Sequence, residues 1–436
     1  MESAEQLKPV SKLWELGPLL LPVVVAAYLV AQIAYAYLVS AHRRIPGPLI
    51  NKISGVPLTI ASTKLTKMQW IHDLFEKYGP VVQIAPNIIA VNHKQGIKDI
   101  YGKKTFLKSS FYTKFATIGQ ESPCLILKDP SEASKRRKSM LPVFARQNLL
   151  AQSDIILMHL MEFMEKLHAH DQKKQSMDAF RWVRYLTFDV VTDLAFNGKY
   201  QMVKTGEKDH IYAKHMDGAT FLGALRAFIP FLDTFNSLVP IASLRTLYED
   251  EEESLKYPRE ALNSWKEQKK AGELDPARPD FLNKIILNGE QNPEEALTNE
   301  QIIAEIQEVM VAGSDTTAIV SVYILWQLAR NPDIQDKLYK ELKEAFTGGI
   351  KDITVMKVEA LPYLHGVCNE GLRLHASIAT LLERVVPPQD VEIGGHFLAG
   401  GTVVGMQAYS VHRLGSVYHD PDKFLPERWR IQDLHL

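Results

Sequence analysis

The chain has 436 residues, 46% hydrophobic and 23% charged; this is ordinary globular composition and enough length for one large helical domain or about two or three average ones. Lys and Arg total 50 against 51 Asp and Glu, a formal charge of -1, so no bulk field points to nucleic acid, which is excluded as a partner. The two cysteines, Cys124 and Cys368, stand far apart in no metal-ligand spacing, which argues against a disulfide framework or zinc site and for a body in a reducing compartment.

Residues 1–15 form a short flank. From Leu16 to Val39 no side chain is charged, and Gln32 is the strongly polar interruption. A helix of about 24 residues at about 1.5 Å each reaches roughly 36 Å, enough to cross a hydrocarbon core of about 30 Å with some tilt. Trp14 on one side and Tyr35 with Tyr37 on the other suit the two interfaces. A cleaved signal is the rival reading, because Ala34-Tyr35-Ala36 offers a small-x-small cleavage pattern. The apolar stretch before it exceeds the usual signal core of about 7–15 residues, so a retained transmembrane anchor over 16–39 is expected. Lys8 and Lys12 precede the span, whereas Arg43, Arg44, Lys52, Lys64 and Lys67 follow it, which places the body on the cytosolic side. Residues 40–48 read as a basic hinge stiffened by Pro46-Gly47-Pro48, and 49–436 as the body.

In the body, Val81–Ile84 and Ile88–Val91 flank Ala85-Pro86-Asn87 and predict a small β-hairpin. Further strands are expected near Val391–Ile393 and Thr402–Val404, set off by glycine pairs at Gly394-Gly395 and Gly400-Gly401. Between these regions the pattern is mostly helical, with three- and four-residue apolar spacing over Leu149–His168 and Trp182–Phe196. The polar stretch Lys266–Asp280 reads as a connection, and the acidic run Glu249–Glu253 as a solvated face or helix start. The fold class is mainly α, an α+β arrangement with small β-sheets.

Thr298-Asn299-Glu300-Gln301 fits a capping box, and Asn331-Pro332 ends a helix, so one helix of about 32 residues, roughly 48 Å, is predicted between them. Its half from Ala318 to Leu328 is nearly all apolar and is expected to be buried. Its centre reads Ala312-Gly313-Ser314-Asp315-Thr316-Thr317. Gly313 weakens a helix by about 1 kcal/mol relative to Ala, and the Thr316 hydroxyl can turn back to the Ala312 carbonyl and bend the ladder. An acid and an alcohol beside such a gap could carry protons inward; a surface break with a solvated Asp315 is the plainer alternative.

Leu361-Pro362-Tyr363 opens a further helix through Leu374, on which Glu370 and Arg373 share a face. Exposed pairs of this kind are worth only about 0.3–0.5 kcal/mol, but the apolar neighbours Leu364, Val367, Leu372 and Leu374 allow a buried pair, which needs a further partner. Arg428, in Phe424-Leu425-Pro426-Glu427-Arg428-Trp429, can supply it.

The ordered set closely resembles the membrane-bound cytochrome P-450 family, the haem-thiolate monooxygenases. It comprises an apolar anchor with a proline hinge, the basic helix Lys135-Arg136-Arg137-Lys138, A-G-S-D-T-T in a long helix, E-x-x-R and F-x-P-E-R-W. The resemblance implies a large helix-rich domain that binds haem b, takes electrons from NADPH through a membrane-bound reductase flavoprotein, and oxidises an apolar organic substrate. Secondary metabolism or detoxification, on the cytosolic face of the endoplasmic reticulum, is the implied setting. Gly313, Asp315 and Thr316 match the distal motif that receives oxygen and delivers protons. Glu370, Arg373 and Arg428 match the family's buried charge triad, and Arg137 and Arg384 its haem-propionate arginines. The aromatic residue or histidine that many relatives carry four residues before Arg137 is Ala133 here, and Leu374-His375 is followed by Ala376 where a proline is usual.

The family's iron-binding cysteine belongs to a glycine-rich loop some tens of residues after F-x-P-E-R-W, whereas this sequence stops at Leu436. Cys124 and Cys368 carry no supporting local motif, so the metal-ligand set is expected to be empty here and the chain truncated and inactive by itself. The rival reading is a membrane-anchored, haem-free pseudoenzyme or interaction protein.

Overall fold

The computed structural model describes residues 22–103, 105–116, 120–198, 200–206, 211–229, 232–238 and 241–429. The flank 1–15, the expected span's first residues 16–21 and the stretch 430–436 lie outside them. The chain divides into two compact units, residues 1–106 with 380–411, and residues 107–379 with 412–436.

In the first unit, Pro22–Val39 is helical with mean hydropathy 1.8, long and apolar enough to cross a bilayer. A signal sequence would pass the same test. Within the proline hinge, Gly47 adopts φ 149°, and a Cβ there would sit 2.7 Å from the Gln83 carbonyl oxygen. Glycine is needed at that crossing.

Helix α1 (Lys67–Tyr78) buries Ile71, Leu74 and Phe75, a three- and four-residue stripe. The expected hairpin forms as β1 (Val81–Ala85) and β2 (Ile88–Val91), antiparallel with a register shift between Gln83 and Ala85. β3 (Arg384–Val385), β4 (Val391–Ile393), β5 (His396–Leu398) and β6 (Val403–Gly405) complete the strands of this unit. β6 joins β2 in parallel and β3 in antiparallel, while β4 and β5 pair as a separate hairpin around Gly394-Gly395. β5 was not expected, since its three residues are too short to show a period of two.

The second unit is helical: α2 (Pro130–Met140), α3 (Ser153–Gln172), α4 (Ala179–Phe196), α5 (Ile211–Phe228), α6 (Ala242–Ser254), α7 (Lys256–Ala271), α8 (Phe281–Gln291), α9 (Asn299–Arg330), α10 (Pro332–Ala345) and α11 (Pro362–Leu374). The capping box at the start of α9 is complete: Thr298 Oγ1 accepts from the Gln301 N–H at 3.2 Å, and Gln301 Oε1 from the Thr298 N–H at 3.0 Å. Trp182, Tyr185 and Phe188 of α4 pack into one core with Trp265 of α7 and Ile302, Ile306 and Met310 of α9. α11 packs on α9 and α10 through Val367 and Leu374, with Phe424 in the same cluster.

Four expectations need correction. The acidic run Glu249–Glu253 is not solvated throughout: it lies late in α6, where Asp250 and Glu251 are buried and Glu251 pairs with Arg226 at 2.6 Å. The helix expected over Leu149–His168 is broken at Gln152 into Arg146–Ala151 and α3. The stretch expected as a connection stays helical to Ala271, where Gly272 at φ 74° ends it, because its lysines and glutamine are good helix formers. The apolar half of α9 is not buried throughout: Tyr323, Leu325 and Trp326 are 45%, 50% and 45% exposed.

Candidate functional site

On α9, Thr316 Oγ1 donates to the Ala312 carbonyl at 2.5 Å, the back-bond its position allows. Gly313 has a packing role: a Cβ there would lie 2.5 Å from Val191 Cγ2 of α4, so its absence lets two core helices meet. Asp315 is not freely solvated. Its Oδ1 accepts the Arg184 Nε–H at 2.6 Å, and the same guanidinium reaches Asp217 Oδ1 at 2.5 Å. Arg184 was not singled out from the sequence; an arginine set among Trp182, Val183, Tyr185 and Leu186 of α4 was its only signal.

Thr316 shares a stripe with Ala312, Ile319, Tyr323 and Trp326, residues at i, i+4, i+7, i+11 and i+14. Ala312, Tyr323 and Trp326 on that stripe are exposed, whereas Met310, Ser314 and Ala318 on other faces are buried. The helix therefore carries one apolar, part-exposed strip with a hydroxyl at its midpoint.

One to two turns before Ala312, at Glu308 and Glu305, lies a buried charge cluster. Glu305, 1% exposed, accepts from Arg136 Nη1 at 2.9 Å and from the Cys124 N–H at 3.0 Å. Glu308 accepts from the Leu125 N–H at 3.2 Å. Burial, and next the Glu308 charge, push the Glu305 carboxyl up to about 7 against the pull of Arg136. Within the basic run it is Arg136 that is buried; Arg137 is exposed, with no ion pair among the described residues. A three-residue row of buried positions, Ala133, Arg136 and Ser139, separates the two arginines by face.

Arg384, in the other unit, is half-buried on β3; its Nη1 donates to the Glu383 carbonyl at 2.8 Å and its guanidinium lies 5.2 Å over the Tyr101 ring.

Glu370, Arg373 and Arg428 meet. Glu370, fully buried, accepts from Arg373 Nη2 at 2.7 Å, Arg373 Nε at 2.8 Å, Arg428 Nε at 3.0 Å, the Leu425 N–H at 3.0 Å and Trp429 Nε1 at 2.9 Å. Arg373 also donates to the carbonyls of His412, Pro421 and Lys423 at 2.7, 2.6 and 3.0 Å. Burial pushes the Glu370 carboxyl up, but the bonds from Arg373, Leu425 and Trp429 outweigh it and hold the group below its usual range. Trp429 and Leu425 were not foreseen as partners, although both belong to the F-x-P-E-R-W segment.

The haem-thiolate centre that the resemblance implies takes a cysteine ligand, and neither cysteine has the surroundings of one. Cys124 is half-buried and directs its thiol to the Ala133 carbonyl at 3.6 Å. Burial, then the charges of Glu305 and Glu308, push that thiol up, the reverse of what a ligand or nucleophile needs. Cys368 is exposed in the middle of α11, two residues before Glu370, with no glycine-rich loop about it.

A family model described as cytochrome P-450 matches residues 46–433. A cytochrome P-450 monooxygenase of Penicillium roqueforti is 30% identical over 369 residues, which is 83% of this chain and 74% of the relative. One of Pyricularia oryzae is 30% identical over 407 residues, 89% and 74% of the two chains, and one of Aspergillus terreus 28% over 382 residues, 87% and 76%.

Proposed function

The chain belongs to the cytochrome P-450 family, and from that premise we propose that it is the body of a haem monooxygenase for an apolar organic substrate, in secondary metabolism or detoxification. When bound, thiolate-ligated haem supplies the oxygen-activating chemistry of this family. In this reading Thr316 and Gly313 shape the distal face, Asp315 serves proton delivery, Arg137 and Arg384 hold the propionates, and the Glu370 triad braces the core.

The observation that carries the reading is the Thr316 strip on α9. A flat apolar group laid along Ala312, Ile319 and Tyr323 would cover surface that otherwise faces water, beside a hydroxyl able to hold a small polar molecule. In this reading Cys124 and Cys368 do not supply the axial thiolate.

The helix at Pro22–Val39 and the basic residues after it support an anchor over 16–39 in the endoplasmic reticulum, with the body on the cytosolic face within reach of an NADPH reductase flavoprotein. The rival, a haem-free interaction protein, rests on the same misfit cysteines.

The test compares the chain with a version extended by a cysteine loop and following helix of the haem-thiolate type. The extended form is expected to give the thiolate-type carbon monoxide spectrum and to consume NADPH with a reductase. A folded extended form that takes up no haem would favour the interaction protein.

A further inference from the structure

Away from the long helix, the end of α4 and the middle of α7 enclose a cleft of about 260 Å³. Phe196, Tyr200, Tyr257 and Trp265 supply its aromatic walls, and Glu260 stands at it on α7. Tyr257, Glu260, Ser264 and Gln268 follow at three- and four-residue spacing, so one stripe of α7 faces the cleft. Asn197 ends α4 in the left-handed region at φ 58° and turns the chain so that Tyr200 returns beside that stripe.

The rings meet edge to face. Tyr200 lies 6.3 Å from Phe196 at 85° and 5.9 Å from Tyr257 at 71°, so π faces point along different walls. The Trp265 indole N–H donates inward to Asn283 Oδ1 at 3.0 Å, and Lys269 Nζ sits 5.2 Å over the Trp265 ring. The indole thus accepts an ammonium group that Glu290 also holds.

Charge points the same way. Glu260 is exposed, with no ion pair among the described residues. Two cations are near: Arg278, which lines the cleft, is bound to Asp280 and Gln268, and Lys256, which also feels the Glu260 charge, is bound to Glu253. Burial, then Tyr257 and the Glu260 carboxylate, push the Tyr200 phenol up, which keeps the ring neutral.

We propose that this cleft binds a small organic ammonium ion, its alkyl groups against the Tyr200 and Tyr257 rings and its charge facing Glu260. A bare metal ion would need several oxygen ligands where this site offers one carboxylate, and an anion would meet Glu260 unfavourably. The site is independent of any haem, so it survives failure of the monooxygenase reading.

Calorimetric titration of the full chain in detergent micelles with tetramethylammonium tests it, with neutral tert-butyl alcohol as the isostere of similar shape. Saturable binding is expected for the ammonium ion alone, weakened about tenfold by Glu260→Gln and by Tyr257→Ala but kept by Tyr257→Phe. Circular dichroism reports whether each variant folds, and the exposed Glu260→Gln change leaves the core untouched. No saturable heat, equal binding of the alcohol, or full binding by folded Glu260→Gln would each overturn the proposal.

Discussion

Arg184 holds Asp315 at 2.6 Å across the interface of α4 and α9, so the acid at the centre of the long helix is part of an ion pair. Its second partner, Asp217, is 61% exposed, whereas Asp315 is 28% exposed. The more buried pair matters more, because exposed pairs are worth about 0–1 kcal/mol. Asp315→Asn is expected to cost about 1–3 kcal/mol in a urea titration and Asp217→Asn less than about 1 kcal/mol. Equal effects would mean that Arg184 does not discriminate between them.

At Gly313, propensity and packing predict opposite signs. In a free helix Gly313→Ala would stabilise by about 1 kcal/mol. Against Val191 Cγ2, which a Cβ would approach to 2.5 Å, it is expected to destabilise by about 1–3 kcal/mol instead. Adding Val191→Ala should recover part of that loss, and a double-mutant cycle by denaturant melting reads the coupling.

The Glu370 cluster has the largest stake in stability. Glu370→Gln removes the charge shared by Arg373 and Arg428 and is expected to cost about 3–5 kcal/mol or to prevent folding. Because the folded carboxyl is held below its usual range, its contribution is present above the unfolded pKa of 4.5 and is lost as pH falls through the folded value. Thermal melts from neutral to acid pH should therefore steepen downward in the wild type at the acid end.

Glu305 acts with the opposite sign. Its folded carboxyl titrates at about 7 against 4.5 unfolded, so the folded state holds the extra proton between those values. The stability it contributes is complete below 4.5 and declines as pH rises to about 7. Urea midpoints of Glu305→Gln are expected to lack that decline. A wild type that gains stability from Glu305 on passing from pH 5 to 7 would contradict the assignment.

Periodic and punctuated features were legible in the sequence. The capping box at Thr298 and the Asn331-Pro332 stop bound α9, because both ends are set by local chemistry. The hairpin around Asn87 is bounded the same way. Arg136, Arg184 and Glu305 were not legible as site residues, since each owes its burial to a partner more than 100 positions away: 169 between Arg136 and Glu305, and 131 between Arg184 and Asp315. The basic run Lys135–Lys138 directs attention to Arg137, yet the helix turns Arg136 inward. The exposure of Tyr323 and Trp326 was equally hidden, because an apolar run specifies burial only once its neighbours are known.

Haem reconstitution of the 436-residue chain, followed by reduction under carbon monoxide, tests the central claim that neither cysteine serves as the axial ligand. No thiolate-type Soret band is expected, and spectra should be unchanged by Cys124→Ser or Cys368→Ser. A thiolate band that one of those substitutions abolishes would contradict that claim.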